Sequence, residues 1–290
     1  MKVGVAVVQM DCTLGDKAAN LARIETRARD ATDQLAEMGA GDGHDRLLIF
    51  PECATTGYFV GEHAPDLAEP SDGPTNARLA GLAAELGVHL AVGVIEAAGT
   101  DVFDALALFS PGAGLLASYR KVHLFAGEKA VFAVGDEPCL VDTDFGRVGL
   151  TICYDLMFPE YVRGLVLSGA RLVINGTDWI TDPWQTQQGW SGAGVRSLCS
   201  VRALENGVHV AMADRVGEEA GFTSLGHSTI AGPTGAVLGG VEDGEGVGAA
   251  IIEDPTSDLD RWRGYATYLA DRRPAVYAEL GVQRRGPEPA

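Results

Sequence analysis

The chain has 290 residues, 46% apolar and 21% charged, the balance of an ordinary soluble globular protein with enough material for one large domain or two small ones. Its formal net charge of −18 opposes both a phosphate backbone and an anionic lipid surface, so no nucleic-acid or membrane partner is expected. Five cysteines, odd in number, widely spread and without a C-x-x-C pair, argue against a disulfide framework and a thiolate zinc site, and predict a reducing, cytoplasmic setting.

"MKVGVAVVQM" reads as a first buried strand: one lysine and no small-residue cleavage site make a poor signal peptide, and no apolar run reaches the length of a membrane span. Leu21, Ile24, Ala28, Ala31, Leu35 and Met38 recur at spacings of three and four, which predicts a helix with one apolar face, ended by the Gly-rich "GAGDG". "DRLLIF" returns as a buried strand running into Pro51-Glu52, and a second helix is expected over 76–86, closed by Gly87. "HLAVGVIEA", "DVFDALALFSP" and "GLLASYRKVHLF" read as three successive strands, and "CLVDTDFGRVGLTIC" as two strands joined at Asp144-Phe145-Gly146. Downstream come a helix "PEYVRGLVLSGA" capped by Gly169, a strand "RLVIN", and a helix "GVRSLCSVRALENG" closed by Gly207. The strand "VHVAMADRV", a hairpin around Pro233-Thr234-Gly235 and the strand "GVGAAIIED" complete the body. Alternating helices and strands with hairpins mixed in predict a layered α/β protein with mixed sheets. The boundary is expected at 255, with 256–290 an aromatic-bearing extension that covers the body or packs on another subunit.

Several familiar motifs fail. There is no H-E-x-x-H and no G-x-x-x-x-G-K-[ST], and the six histidines show no metal-ligand spacing. "GWSGAG" misses the G-x-S-x-G elbow because Ala193 holds the second glycine position. What remains is three strand ends with awkward residues: "LLIFPE" delivers Glu52, "ASYRKVHLF" places Lys121 in a strand-like stretch, and "GLTIC" delivers Cys153. Singly, each has an ordinary reading as a surface carboxylate, a rim charge and a core thiol. Together they form a chemically complete set. A thiol with a free pKa of roughly 8.5 needs a base or cation to become a nucleophile. A carboxylate can take its proton, and a lysine can stabilise the oxyanion of a tetrahedral intermediate.

The blocks "LLIFPECATTGY", "YRKVHLF" and "GLTICYDLMFPE", in this order, resemble those of the carbon–nitrogen hydrolases of the nitrilase superfamily, over residues 3–254. The resemblance implies a four-layer α-β-β-α sandwich with two mixed sheets, subunits that pair as a homodimer or higher homo-oligomer, and hydrolysis through a cysteinyl thioester with no metal or organic cofactor. It implies Glu52 as general base, Lys121 with the Tyr154 amide as oxyanion donors, Cys153 as nucleophile, and Glu128 of "FAGEKAVFAVGD" as the carboxylate that holds Lys121.

The residues after the cysteine bear on the branch. Tyr154-Asp155 stands where nitrilases carry Trp-Glu, so the chain looks like an amidase; Met157 replaces the arginine of amidases for acidic substrates, and the arginines of N-carbamoyl-amino-acid hydrolases are also missing. "INGTDWITDPW" aligns with a pocket loop that reads PTNW in many amidases, with Asp178 where asparagine is usual. A pocket formed by Tyr58, Phe125, Tyr154, Met157, Asp178 and Trp179 would favour a small neutral carboxamide, cleaved to acid and ammonia. Nitrile hydrolysis and N-carbamoyl hydrolysis are the alternatives within the family, and a catalytically silent binding scaffold is the alternative outside it.

Overall fold

The computed structural model describes residues 2–40, 44–253, 256–265 and 267–279. In chain order the first half comprises β1 (Lys2–Gln9), α1 (Lys17–Glu37), β2 (Asp45–Ile49), α2 (Ala64–Leu67), α3 (Pro74–Leu86), β3 (His89–Ala98), β4 (Asp101–Ser110) and β5 (Gly114–Arg120). There follow β6 (Cys139–Thr143), β7 (Gly146–Ile152), α4 (Pro159–Leu167), β8 (Leu172–Thr177), β9 (Ile180–Thr181), α5 (Pro183–Gln187) and α6 (Gly192–Asn206). The rest of the body is β10 (His209–Asp214), β11 (Val216–Glu219), β12 (Phe222–Leu225), β13 (Thr229–Ala231), β14 (Val237–Gly240) and β15 (Gly246–Glu253).

Two six-stranded mixed sheets result, in the orders β15-β1-β2-β3-β4-β5 and β14-β13-β10-β8-β7-β6, and a small sheet β11-β12-β9 sits beside them. Each large sheet has a parallel centre, β1-β2-β3 in one and β7-β8-β10 in the other, flanked by antiparallel strands. β1 and β2 lie against β10, and β4 against β7, so the sheets stack face to face. Helices α1 and α3 cover the first sheet, and α6, with α4 beside it, covers the second. The architecture is the four-layer α-β-β-α sandwich.

The apolar pattern explains the layering. On one face of the first sheet, Ala6, Val8, Leu48, Leu90, Val92 and Phe109 pack with Leu21, Ile24, Ala28, Leu35 and Leu79 from the helices. The alternate residues Val5, Val7, Leu47, Ile49, Leu106 and Leu108 are fully buried as well, as expected for strands covered on both sides. Each large aliphatic side chain so buried contributes roughly 2 kcal/mol. Helix ends follow local chemistry: the Asp16 carboxylate accepts from the Ala19 amide at 3.0 Å at the start of α1, and α3 and α6 end on Gly87 and Gly207, both with φ +62°.

Most expected elements are found, with one instructive difference. The strand expected through Lys121 to Phe125 stops at Arg120. The next amides turn to side-chain acceptors: Val122 donates to the Tyr119 hydroxyl (3.2 Å) and His123 to Asp155 (3.1 Å). The expected "GAGDG" helix stop falls partly on 41–43, outside the described residues.

Residues 255–290 form a separate unit containing α7 (Thr256–Tyr265) and α8 (Pro274–Glu279). Among the described residues, no helix is long and apolar enough to cross a membrane.

Candidate active site

The sheet registers converge on one end of the sandwich. Ile152 pairs with Gly176, so Cys153 and the 177–178 peptide leave adjacent parallel strands side by side. Ala105 pairs with Arg120, which sets Asp104 beside Lys121, and the Lys121 amide donates to the Asp104 carbonyl at 2.9 Å. Glu52 follows β2, whose neighbour β3 runs parallel to it. A crevice beyond the carboxyl ends of parallel strands is where open α/β sheets place their ligands.

Two glycines allow the Glu52 loop to lie between the sheets. A Cβ on Gly93 would stand 2.3 Å from the Pro51 carbonyl oxygen and 2.4 Å from the Cys53 nitrogen, and one on Gly176 would stand 2.9 Å from the Phe50 carbonyl oxygen. Only a residue without a side chain permits that approach.

Lys121 is fully buried, and its ammonium donates to Glu52 Oε1 at 2.5 Å and to Glu128 Oε1 at 2.7 Å, with Asp104 Oδ2 at 3.4 Å. The three carboxylates have oxygens close enough together to hold a metal ion, but the Lys121 ammonium already lies among them as their cation. Glu128 also accepts from the Tyr58 hydroxyl and, through Oε2, from the Phe125 amide at 2.7 Å. The second oxygen of Glu52 accepts from the Asp178 amide at 2.9 Å, while the Asp178 carbonyl accepts from Cys153 Sγ at 3.8 Å. The main chain of one residue thus links the carboxylate and the thiol.

Burial raises the Glu52 carboxyl well above the ordinary range against the pull of Lys121, and the neighbouring Asp104 and Glu128 raise it further. Burial likewise raises Glu128. For Lys121, burial disfavours the charge, yet the surrounding anions, Glu52 foremost, outweigh it and hold the ammonium well above its usual pKa. The Cys153 thiol is raised by burial and by Glu52, with Lys121 opposing. The resting sulfur is therefore a neutral thiol, and the carboxylate beside it has unusual proton affinity.

Cys153 has φ +39°, a left-handed conformation rare outside glycine, at the junction of β7 with a 3₁₀ turn over Cys153–Met157. The buried Asp155 carboxylate fixes this turn. It accepts from the Ile152 amide (2.8 Å), the Tyr119 hydroxyl (2.7 Å) and the His123 amide, and lies 2.7 Å from His123 Nδ1. It ties the cysteine turn to the segment that carries Lys121.

A cavity of about 190 Å³ opens on Cys153, with Phe125, Tyr154, Met157, Asp178 and Trp179 in its wall. These five expected pocket residues are thus brought together, while Tyr58 lines an adjoining cavity and bonds to Glu128. The Asp178 carboxylate is itself engaged, by the Ser224 hydroxyl at 2.6 Å and Arg215 at 3.5 Å. Buried Arg215 also reaches Glu219 (2.6 Å) and the Cys12 carbonyl (2.8 Å), and Asp214 accepts from the Trp179 amide (3.0 Å). Sequence reasoning missed Asp104, Asp155, Asp214 and Arg215 as site residues; their common signal is a charge at or beside an apolar strand.

A buried thiol, a lysine and two glutamates thus meet at the sheet ends of an α-β-β-α sandwich. The carbon–nitrogen hydrolase family matches residues 4–263, and the chain belongs to that family, whose members act on carbon–nitrogen bonds. It is 30% identical to a probable nitrilase of Schizosaccharomyces pombe, covering 97% of this chain and 99% of that one. It is also 32% identical to an (R)-stereoselective amidase of Pseudomonas sp., covering 93% and 91%. Among solved structures, an amidase from Nesterenkonia sp. AN1 in complex with acrylamide superposes with a TM-score of 0.79 at 27% identity, covering 96% of this chain and 97% of that one. Related structures of that amidase hold butyramide or covalent adducts at its active-site cysteine.

Proposed function

We propose that the protein hydrolyses neutral carboxamides to the acid and ammonia through a thioester on Cys153. The observation that supports this most is the main chain of Asp178, whose N–H donates to Glu52 and whose carbonyl accepts from Cys153, beside the Lys121 ammonium. As the sulfur attacks the amide carbon, the thiol proton passes to Glu52, whose ionised form the Lys121 ammonium beside it favours. The carbonyl π pair moves to oxygen, where Lys121 and the Tyr154 amide at the start of the 3₁₀ turn stabilise it. Collapse restores the carbonyl and breaks the C–N bond, and the nitrogen takes the proton from Glu52 and leaves as ammonia. Water then attacks the thioester, with Glu52 accepting its proton, and the acid leaves as sulfur regains a proton. Glu128 holds the Lys121 ammonium, and Tyr58 and the Phe125 amide hold Glu128.

Among the described residues, the wall of the Cys153 cavity includes Asp178 and no lysine, arginine or histidine, which favours an uncharged acyl group over a carboxylate-bearing one. Ammonia release should be measured over acetamide, butyramide, an ω-carboxylated amide, an N-carbamoyl amino acid and butyronitrile, with Cys153→Ala as blank. Turnover of the neutral amides above the others is expected. Faster turnover of the carboxylated amide, the carbamoyl compound or the nitrile, or a rate retained in Cys153→Ala, would overturn the assignment.

A further inference from the structure

The cavity at Cys153, about 190 Å³, is small. At roughly 30 Å³ per heavy atom, the share of a water molecule in the liquid, it holds a carboxamide of about six heavy atoms. It does not stand alone. A second cavity of about 460 Å³ shares Phe125, Ile180 and Gln185 with it, so the two adjoin at these residues.

The second compartment is strongly apolar and aromatic. Tyr58, Phe59, Val131, Phe132, Trp184 and Phe222 line it, and the Phe59 and Phe222 rings stack at 5.2 Å and 15° to form a flat wall. Among the described residues, no lysine, arginine or histidine lines it. Its two carboxylates are already committed: Glu128 to Lys121, Tyr58 and the Phe125 amide, and Asp182 to the Gln185 amide (2.7 Å), where it caps α5. The surface is far larger than an amide of a few carbons can cover, and its chemistry offers nothing to an anion.

We propose that the second compartment is an acyl-extension subsite, and that the preferred substrates are primary carboxamides whose acyl group ends in an uncharged aromatic or branched apolar tail. This rests on the amidase reading of Cys153. The reacting carbonyl sits at Cys153, and the tail passes Phe125 and Ile180 to lie against the Phe59–Phe222 wall. The tail is solvated in the free substrate and buried in the acylation transition state, so its burial raises kcat/KM; it stays buried from the thioester to the deacylation transition state and leaves that step unchanged.

The test is kcat/KM for acetamide, butyramide, hexanamide, 4-phenylbutyramide and the ω-carboxylated analogue of hexanamide, on wild type, Val131→Trp and Phe222→Arg. Each methylene that enters an apolar site gains about fourfold. The phenylbutyramide value should therefore exceed that of butyramide at least about a hundredfold, and the carboxylated analogue should fall below hexanamide. Val131→Trp fills the compartment and Phe222→Arg places a cation in it. The first should lower the phenylbutyramide-to-acetamide ratio at least tenfold, and the second should raise the carboxylated analogue relative to hexanamide. If either variant fails to fold, the wild-type series and the other variant still decide. Short amides hydrolysed with no gain from the tail, or ratios unmoved in the folded variants, would overturn the subsite alone. No hydrolysis of any amide, with nitrile or carbamoyl turnover instead, would overturn the amidase reading beneath it.

Discussion

Replacing Lys121 with methionine keeps the length of the side chain and removes the cation that Glu52, Asp104 and Glu128 share. All four groups are buried, so the loss resembles the breaking of a buried ion pair, which costs about 3–5 kcal/mol. The cost should depend on pH, and its sign follows from protonation. Burial already raises both Glu52 and Glu128, and loss of Lys121, which lowers both, must raise them further. The folded variant then keeps protons that the unfolded chain releases above about pH 4.3. Its stability therefore falls as pH rises, more steeply than that of the wild type, by about 1.4 kcal/mol for each added pKa unit. Urea unfolding of both proteins at about pH 5 and about pH 8 reads this directly. The deficit of Lys121→Met should be small at the lower pH and approach about 3–5 kcal/mol at the higher one. Equal deficits at the two pH values would refute the shared-cation account. Amide turnover should fall at least about 10²-fold at either pH, the usual cost of one oxyanion donor.

Gly93→Ala would push a Cβ to 2.3 Å from the Pro51 carbonyl oxygen, so a stability loss of about 1–3 kcal/mol and a fall in kcat as Glu52 moves are expected. A melting curve and kcat both unchanged would show that the contact yields freely. Burial raises the Asp178 carboxyl to about 6, against Arg215 and Ser224. The folded protein thus holds a proton the unfolded chain releases above about pH 3.9, and stability declines between there and about pH 6. Asp178→Asn removes that slope, and parallel stability–pH curves for the two proteins would contradict it. Asp155→Ala removes the acceptor of the Ile152 amide, the Tyr119 hydroxyl and the His123 amide, so a loss of at least about 2 kcal/mol is expected. A variant as stable as wild type by urea unfolding would remove Asp155 from that role.

The sequence showed the architecture well because both large sheets are covered on two faces, which writes long apolar runs such as "KVGVAVVQM" and "GLTIC" into the chain. Glu52 and Cys153 stood out because they interrupt such runs at the ends. The small sheet of β9, β11 and β12 was not legible, since its strands have only two to four residues and one of them, β11, carries a glycine and two glutamates. Asp104 escaped notice for a related reason: inside β4 it alternates with apolar neighbours like any solvent-facing strand residue, and only the packing of β5 beside it buries it next to Lys121. Asp178 was expected among the pocket residues, at a position where asparagine is usual. Its main-chain N–H and carbonyl face Glu52 and Cys153 and its carboxylate turns to Arg215 and Ser224, a distinction that depends on a partner 37 residues away. Gly93 and Gly176 were unreadable as site residues, because what requires them is backbone brought from β2 by the stacking of sheets.

The central claim is that Cys153 carries the acyl group during turnover. Acid quenching of the wild-type protein within milliseconds of mixing with butyramide, followed by peptide mass spectrometry, tests it most directly. The account predicts a butyryl adduct on the peptide that contains Cys153, sensitive to hydroxylamine and missing from Cys153→Ala. Steady release of ammonia and butyrate with no adduct on that peptide, or an adduct on another residue, would contradict it.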